Sequence, residues 1–387
     1  MNFMFKPLYT LALVLVAGSG LDAAAQSPAA KKVVFKGKTD AKYNGEYVYL
    51  FANQPKMIRD SAKITNGAFA FTQPFTEAGE YAFYSGYEKR TTGDYSVLII
   101  PFEQASEMSV KADMLRFDRS EVKGSKSFFI YDAFAKATEP VYEKLMTDLI
   151  AKYGKDYLYN SKRDTTEQKH KDMIAEYSKG KTAYNALVKK NLISTVNANP
   201  TSFASVLIMQ GAAESLDLPT AEELTKKLSP AVLDNYFGRN LLGQINGRKK
   251  SAVGNFIEDF TLNDPKDQPF KFSSLKGKYV LIDFWGSWCG PCHAAFKELR
   301  KLYAAYHDKG FEILGLATEN SKAAWLKDLE KEKLPWLQVI DEQENKSVSL
   351  KQFAISKYPT TVLVDPEGKI VGRDLNIKAL EAILDKL

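Results

Sequence analysis

The sequence predicts a multidomain chain: an all-β N-terminal part (antiparallel sheet or sandwich), a middle α-helical block and a C-terminal α/β domain. Three observations carry this reading. Short aromatic and β-branched runs separated by Asn-Gly and other glycine turns extend to about residue 122. Apolar residues then recur at helical spacing, and from about residue 250 strand and helix patterns alternate. The 387 residues, 45% hydrophobic and 26% charged, suffice for two or three domains with cores of their own.

The first 25 residues read as a signal peptide. Lys6 precedes an apolar run over 8–17, and small residues lead to Ala23-Ala24-Ala25 before Gln26. The run is too short to span a bilayer, and no cysteine follows it for lipid attachment. The expected location is periplasmic, with an uncleaved membrane anchor as the alternative. Residues 26–122 form the β domain, with strands at 47–51, 68–71, 81–84 and 97–100 and turns at Asn44-Gly45, Asn66-Gly67 and Ser85-Gly86. Residues 123–247 form the helical domain. Phe134, Val141, Leu145, Leu149, Ala183, Leu187 and Ile193 mark its stripes, Asn199-Pro200 and Ser229-Pro230 punctuate it, and Gly238 and Gly247 are expected breaks. Residues 248–254 read as a polar connection to the last domain, 248–387. There, strands are expected at 279–285, 311–317, 360–364 and 369–371, and helices at 292–307, 322–332 and 377–384.

Net charge is +6, but the signs are interleaved along the chain, which argues for a solvated surface and against a nucleic-acid partner. The chain has only two cysteines, Cys289 and Cys292, in the stretch Asp283-Phe-Trp-Gly-Ser-Trp-Cys-Gly-Pro-Cys-His293. In an oxidising compartment a pair this isolated is a poor structural staple. At a strand-to-helix junction, the helix N-terminus stabilises a thiolate on the first cysteine. The second, about one turn on, is positioned to resolve a mixed disulfide. The first is therefore expected to be exposed and the second buried. Zinc would need four ligands, and the chain adds only three histidines to its two cysteines. Haem attachment shares the Cys-x-x-Cys-His spacing, but Trp288 and Pro291 fit a redox loop better.

These residues resemble the active-site segment of the thioredoxin superfamily. Residues 254–387 are most similar to exported TlpA/ResA-like thiol-disulfide oxidoreductases, through Val253-Gly-Asn-Phe-Ile-Glu-Asp-Phe260 and Phe272-Ser-Ser-Leu-Lys-Gly-Lys-Tyr-Val280. Asp60-Ser-Ala-Lys-Ile-Thr-Asn-Gly-Ala-Phe-Ala-Phe71 resembles an uncharacterised β domain fused ahead of such proteins. The resemblance implies a thioredoxin fold, Cys289 as the attacking and Cys292 as the resolving thiol, and Pro359 as a cis-proline beside them. Asp283 matches a buried proton-relaying acid. Trp288, Gly290, Pro291, Tyr358 and Pro359 are the candidate substrate-binding residues. No cofactor and no metal are expected. Ala295 stands where a glutamate is frequent in the ResA-like branch, which shifts the acid role to Asp283; His293 is a further candidate for thiolate stabilisation.

The implied partners are client proteins bearing disulfides or thiols and a membrane or periplasmic thiol electron donor, with the helical block as a candidate homo-oligomer contact. Gly-Pro between the cysteines resembles the reducing members of the superfamily, which implies reduction. A scaffold with a structural thioredoxin domain and a disulfide oxidant are the alternatives. A peroxidase is disfavoured because Pro-x-x-x-Thr-x-x-Cys is absent.

Overall fold

The computed structural model describes residues 31–52, 57–159, 167–212, 215–319, 321–342 and 348–387. The expected signal peptide lies outside them. None of the described helices is long and apolar enough to cross a membrane.

Two four-stranded sheets form the N-terminal sandwich. β1 (Lys32–Lys38), β4 (Ala68–Pro74), β7 (Glu107–Lys111) and β8 (Glu121–Lys123) make one, in the order β4-β1-β7-β8. β2 (Tyr47–Ala52), β3 (Ile58–Lys63), β5 (Gly79–Ser85) and β6 (Leu98–Phe102) make the other, in the order β3-β2-β5-β6. Period-two burial puts Val33, Phe35, Val48, Leu50, Phe71, Phe83 and Ile100 in one core between them. Asn66 and Gly67 both take positive φ (51° and 66°), the turn geometry that Asn-Gly favours. One pair departs from the antiparallel expectation: β1 and β7 run parallel, because the chain visits the other sheet between them. Helix α1 (Gly86–Thr92) was not expected; Ser85 caps it by accepting from the Glu88 N–H.

The helical block comprises α2 (Lys126–Tyr153), α3 (Lys155–Tyr159), α4 (Gln168–Ala198), α5 (Phe203–Ala212), α6 (Leu218–Lys227), α7 (Pro230–Leu233) and α8 (Tyr236–Lys250). Its main core gathers Leu192, Val196, Phe203, Val206, Leu224, Phe237 and Leu241. The expected stripe is partly displaced. Val141 and Ala183 are exposed, and α4 instead buries Val188, Leu192 and Val196 at four-residue spacing. Gly238 and Gly247 are not breaks; both lie inside α8. A Cβ on Gly238 would stand 2.3 Å from the Leu233 carbonyl oxygen, so this glycine is there for close packing. Nor are residues 248–254 a free connection. The helix runs on to Lys250, and buried Ser251 donates to the Phe353 carbonyl (3.3 Å).

The last domain is a mixed seven-stranded sheet ordered β10-β9-β13-β12-β11-β14-β15. Its strands are β9 (Thr261–Asn263), β10 (Pro269–Lys271), β11 (Tyr279–Trp285), β12 (Phe311–Glu319), β13 (Leu337–Glu342), β14 (Thr360–Val364) and β15 (Ile370–Arg373). Central β11 runs parallel to β12 and antiparallel to β14. Its alternation serves two cores. Leu281 and Trp285 face α9 (Gly290–Tyr306) and α12 (Ile377–Leu384), whereas Val280, Ile282 and Phe284 face Phe260, Phe272 and Phe353. α10 (Lys322–Glu332) covers the first face through fully buried Trp325, and α11 (Val348–Lys351) follows β13.

Candidate functional site

β11 ends at Trp285, and the next four residues turn the chain into α9. Cys289 is the N-cap of that helix, with Pro291 in the first turn, where its missing N–H costs little. The Cys292 N–H donates to Cys289 Sγ (3.2 Å), and the two sulfurs are joined in a disulfide. The helix therefore begins at Gly290, two residues before the expected start, because the first cysteine itself caps it. Both cysteines are enclosed: Cys289 is 3% and Cys292 1% exposed. The expected exposure of the first cysteine is thus corrected. The loop rolls Cys289 into the Phe296 and Trp336 core, and its neighbours Trp288, Gly290 and Pro291 form the exposed shoulder instead.

Across this shoulder stands the loop before β14. The Tyr358–Pro359 bond is cis, and the Tyr358 ring meets the Trp288 ring edge-on at 5.0 Å. Burial raises the Tyr358 hydroxyl pKa. Thr360 pairs with Phe284, so the cysteine loop and the Tyr358-Pro359 loop leave the sheet at the same end.

Asp283 is 2% exposed and lies on the face of β11 that carries Trp285. Desolvation raises its pKa from the ordinary 3.8 to about 7, and its Oδ2 is buried without a hydrogen-bond partner. Its row in the sheet continues through Gly315 on β12 to Gln338 on β13. The Gln338 amide lies across the bare Gly315 backbone; a Cβ there would stand 2.3 Å from Oε1. Gln338 Oε1 accepts from the Trp285 indole N–H (3.1 Å), while its Nε2 is buried without a partner. Asp283, Gly315, Gln338 and Trp285 thus form a polar strip within an apolar face.

A second network holds the loop from behind. Buried Glu319 accepts from the Ser287 N–H, and the Trp288 indole donates to the Thr318 carbonyl (3.2 Å). Thr318 and Ser349 hydroxyls bond at 3.0 Å, and Asp341 accepts from the Ser349 N–H (2.7 Å) and hydroxyl (2.6 Å). Sequence reading missed Gln338, Glu319 and Asp341. Gln338 and Asp341 lie in β13, which is not among the expected strands, and Glu319 lies beyond the expected end of the strand at 311–317.

His293 Nε2 lies 2.7 Å from Asp328 Oδ2, with Glu332 close by. Among the described residues this is the one trio whose donor atoms, all within 4.8 Å, offer a cation a shared site. Glu332 already pairs with Lys331 (3.1 Å) and Arg300 (3.6 Å), so two resident cations offset its charge. Ala295 contributes no polar group to the site.

Residues 253–373 match the AhpC/TSA family, and residues 33–128 match a domain of unknown function, DUF4369. The thiol-disulfide oxidoreductase ResA of Geobacillus kaustophilus (strain HTA426) is 34% identical over 119 residues, covering 31% of this chain and 67% of that protein. ResA of Bacillus subtilis (strain 168) is 31% identical over 125 residues, covering 32% and 68% respectively. Among solved structures, the thioredoxin domain of a thiol-disulfide oxidoreductase from Bacteroides vulgatus is 36% identical, with a TM-score of 0.33; the match covers 35% of this chain and 96% of that one.

Proposed function

The chain belongs to the ResA-like thiol-disulfide oxidoreductases of the AhpC/TSA family, and from that premise we propose that it is an exported reductase of client disulfides. The observation that carries the proposal is the Cys289–Cys292 pair at the start of α9, backed by a buried carboxyl whose pKa lies near neutrality. Export is supported by Lys6, the apolar run 8–17 and Ala23-Ala24-Ala25.

In the reduced enzyme the Cys289 thiolate attacks one client sulfur. A mixed disulfide forms, the client S–S bond breaks, and one client thiolate leaves. Cys292 then gives up its proton and attacks Cys289 Sγ, which releases the second client thiolate and regenerates the Cys289–Cys292 disulfide. Two electrons pass to the client. Three features support Cys289 as the attacking atom: its cap position, the N–H aimed at its sulfur and the positive end of the α9 dipole. Asp283 serves as proton acceptor for Cys292, because a carboxyl with a pKa near 7 takes and returns a proton at small cost. Trp288 and Tyr358 flank the point where the client enters, and Gly290, Pro291 and Pro359 complete the contact. A thiol donor in the same compartment restores the dithiol.

The test is expression of Cys292→Ser and Cys289→Ser in an exporting cell, followed by non-reducing electrophoresis. Cys292→Ser should accumulate client adducts through Cys289 that collapse on reduction, and Cys289→Ser should trap little. Equal trapping by both would overturn the assignment.

A further inference from the structure

Two hydrogen-bond paths lead inward from the exposed shoulder beside the disulfide, and both end on Thr318, the last residue but one of β12. We propose that Thr318 is a positioning residue for client binding, setting Trp288 with its carbonyl and Tyr358 with its hydroxyl; the inference rests on the reductase reading above. The Trp288 indole donates to the Thr318 carbonyl (3.2 Å), and the Tyr358 hydroxyl is hydrogen-bonded to the Thr318 side chain. The Trp288 and Tyr358 rings meet edge-on at 5.0 Å. Thr318 itself is buried, so it acts on a client only through these two rings.

Counting donors fixes the direction of the hydroxyl chain. Ser349 has one hydroxyl proton, and it goes to Asp341 Oδ2 (2.6 Å). At the 3.0 Å contact between the Ser349 and Thr318 hydroxyls, Thr318 is therefore the donor. With that proton committed, Thr318 accepts from Tyr358, so the Tyr358 O–H points inward along a chain that ends on a buried carboxylate. Asp341 and Glu319 both act electrostatically on the Tyr358 phenol, and their negative charge favours this orientation of its proton. Packing adds a restraint on the other ring. A Cβ on Gly286 would stand 2.6 Å from the Trp288 indole nitrogen, so the indole rests against bare backbone. Trp288 is nevertheless 54% exposed. An aromatic surface that is both exposed and already fixed loses little side-chain freedom when a client covers it. Thr318 thus ties the cysteine loop to the cis-proline loop and presents Trp288 and Tyr358 as one preorganised surface.

The experiment uses the full chain with insulin as the disulfide client, and rates are read over a range of insulin concentrations. Thr318→Val keeps the shape and the carbonyl but removes the hydroxyl. It should raise KM about fivefold and move kcat by less than about twofold, the signature of lost client binding. Thr318→Ser, which restores the hydroxyl, should return KM to within about twofold of the wild type. Tyr358→Phe deletes the same bond from the half-buried side and should raise KM to the same extent, so the test stays readable if Thr318→Val lowers stability. The double variant should be no worse than either single one, because both remove one interaction. Calorimetric titration of insulin into Cys289→Ser/Cys292→Ser protein reads binding without exchange, and adding Thr318→Val should weaken it about fivefold. An unmoved KM, an effect carried wholly by kcat, failure of Thr318→Ser to restore KM, or additive effects of Thr318→Val and Tyr358→Phe would overturn the positioning role. Absence of insulin reduction by the wild type, with the calorimetric loss intact, contradicts the reductase reading and leaves the positioning role standing.

Discussion

Replacing Asp283 by Asn removes a titrating group from the middle of the thioredoxin-like domain while keeping its shape. In the unfolded chain this carboxyl titrates near 3.8; in the fold, desolvation holds its pKa at about 7. Below pH 4 it is protonated in both states and contributes no pH dependence. Between pH 4 and 7 the unfolded chain releases the proton and the folded chain keeps it, so stability falls as pH rises, and above 7 the loss levels off. At 1.36 kcal/mol per pKa unit the full loss is about 4 kcal/mol. All four tryptophans (Trp285, Trp288, Trp325 and Trp336) lie in this domain, so indole fluorescence during guanidinium unfolding reports it alone. The difference between oxidised wild type and Asp283→Asn should grow by several kcal/mol in favour of the variant from pH 4 to pH 8. Any packing cost of the Asn amide is independent of pH and drops out of that slope. The thiol-exchange rate should also lose its inflection near pH 7. Parallel stability curves across this range would refute the buried-acid account.

Two other substitutions separate the domains. Gln338→Leu orphans the buried Trp285 indole N–H, which should lower the same fluorescence-detected stability by roughly 1–2 kcal/mol and shift the Trp emission. Gly238→Ala forces a methyl against the Leu233 carbonyl oxygen, so it should destabilise the helical block by roughly 2–3 kcal/mol despite alanine's better helix propensity. Far-UV circular dichroism should show that loss while the Trp-reported transition of the last domain stays in place.

The thioredoxin-like domain was the most legible part of the sequence. Its strands are short apolar runs between clear turns, so β11, β14, α10 and α12 lie within the residues that periodicity assigns. The cysteine loop was legible because two cysteines in 387 residues leave few rival readings. Packing between distant segments was not. Gly238 reads as a break, since local propensity cannot register a carbonyl that arrives from the preceding turn. Residues 248–250 read as a loop because their charged side chains mask a helix that continues, capped by buried Ser251. The burial of Cys289 depends on a loop path that spacing alone does not encode. Gln338 reaches the Trp285 indole across its row-mate Gly315, a pairing fixed by parallel register between two strands.

The most direct test of the account is the reduction potential of the Cys289–Cys292 pair. The isolated chain is equilibrated with defined glutathione or dithiothreitol mixtures, and the dithiol fraction is read by thiol alkylation and by Trp285 and Trp288 fluorescence. A reductase requires a potential near that of thioredoxin, about −270 mV, at which the reduced pair drives client disulfides open. A potential near about −120 mV, that of a strong disulfide donor, would contradict the reductase assignment and make the protein an oxidant.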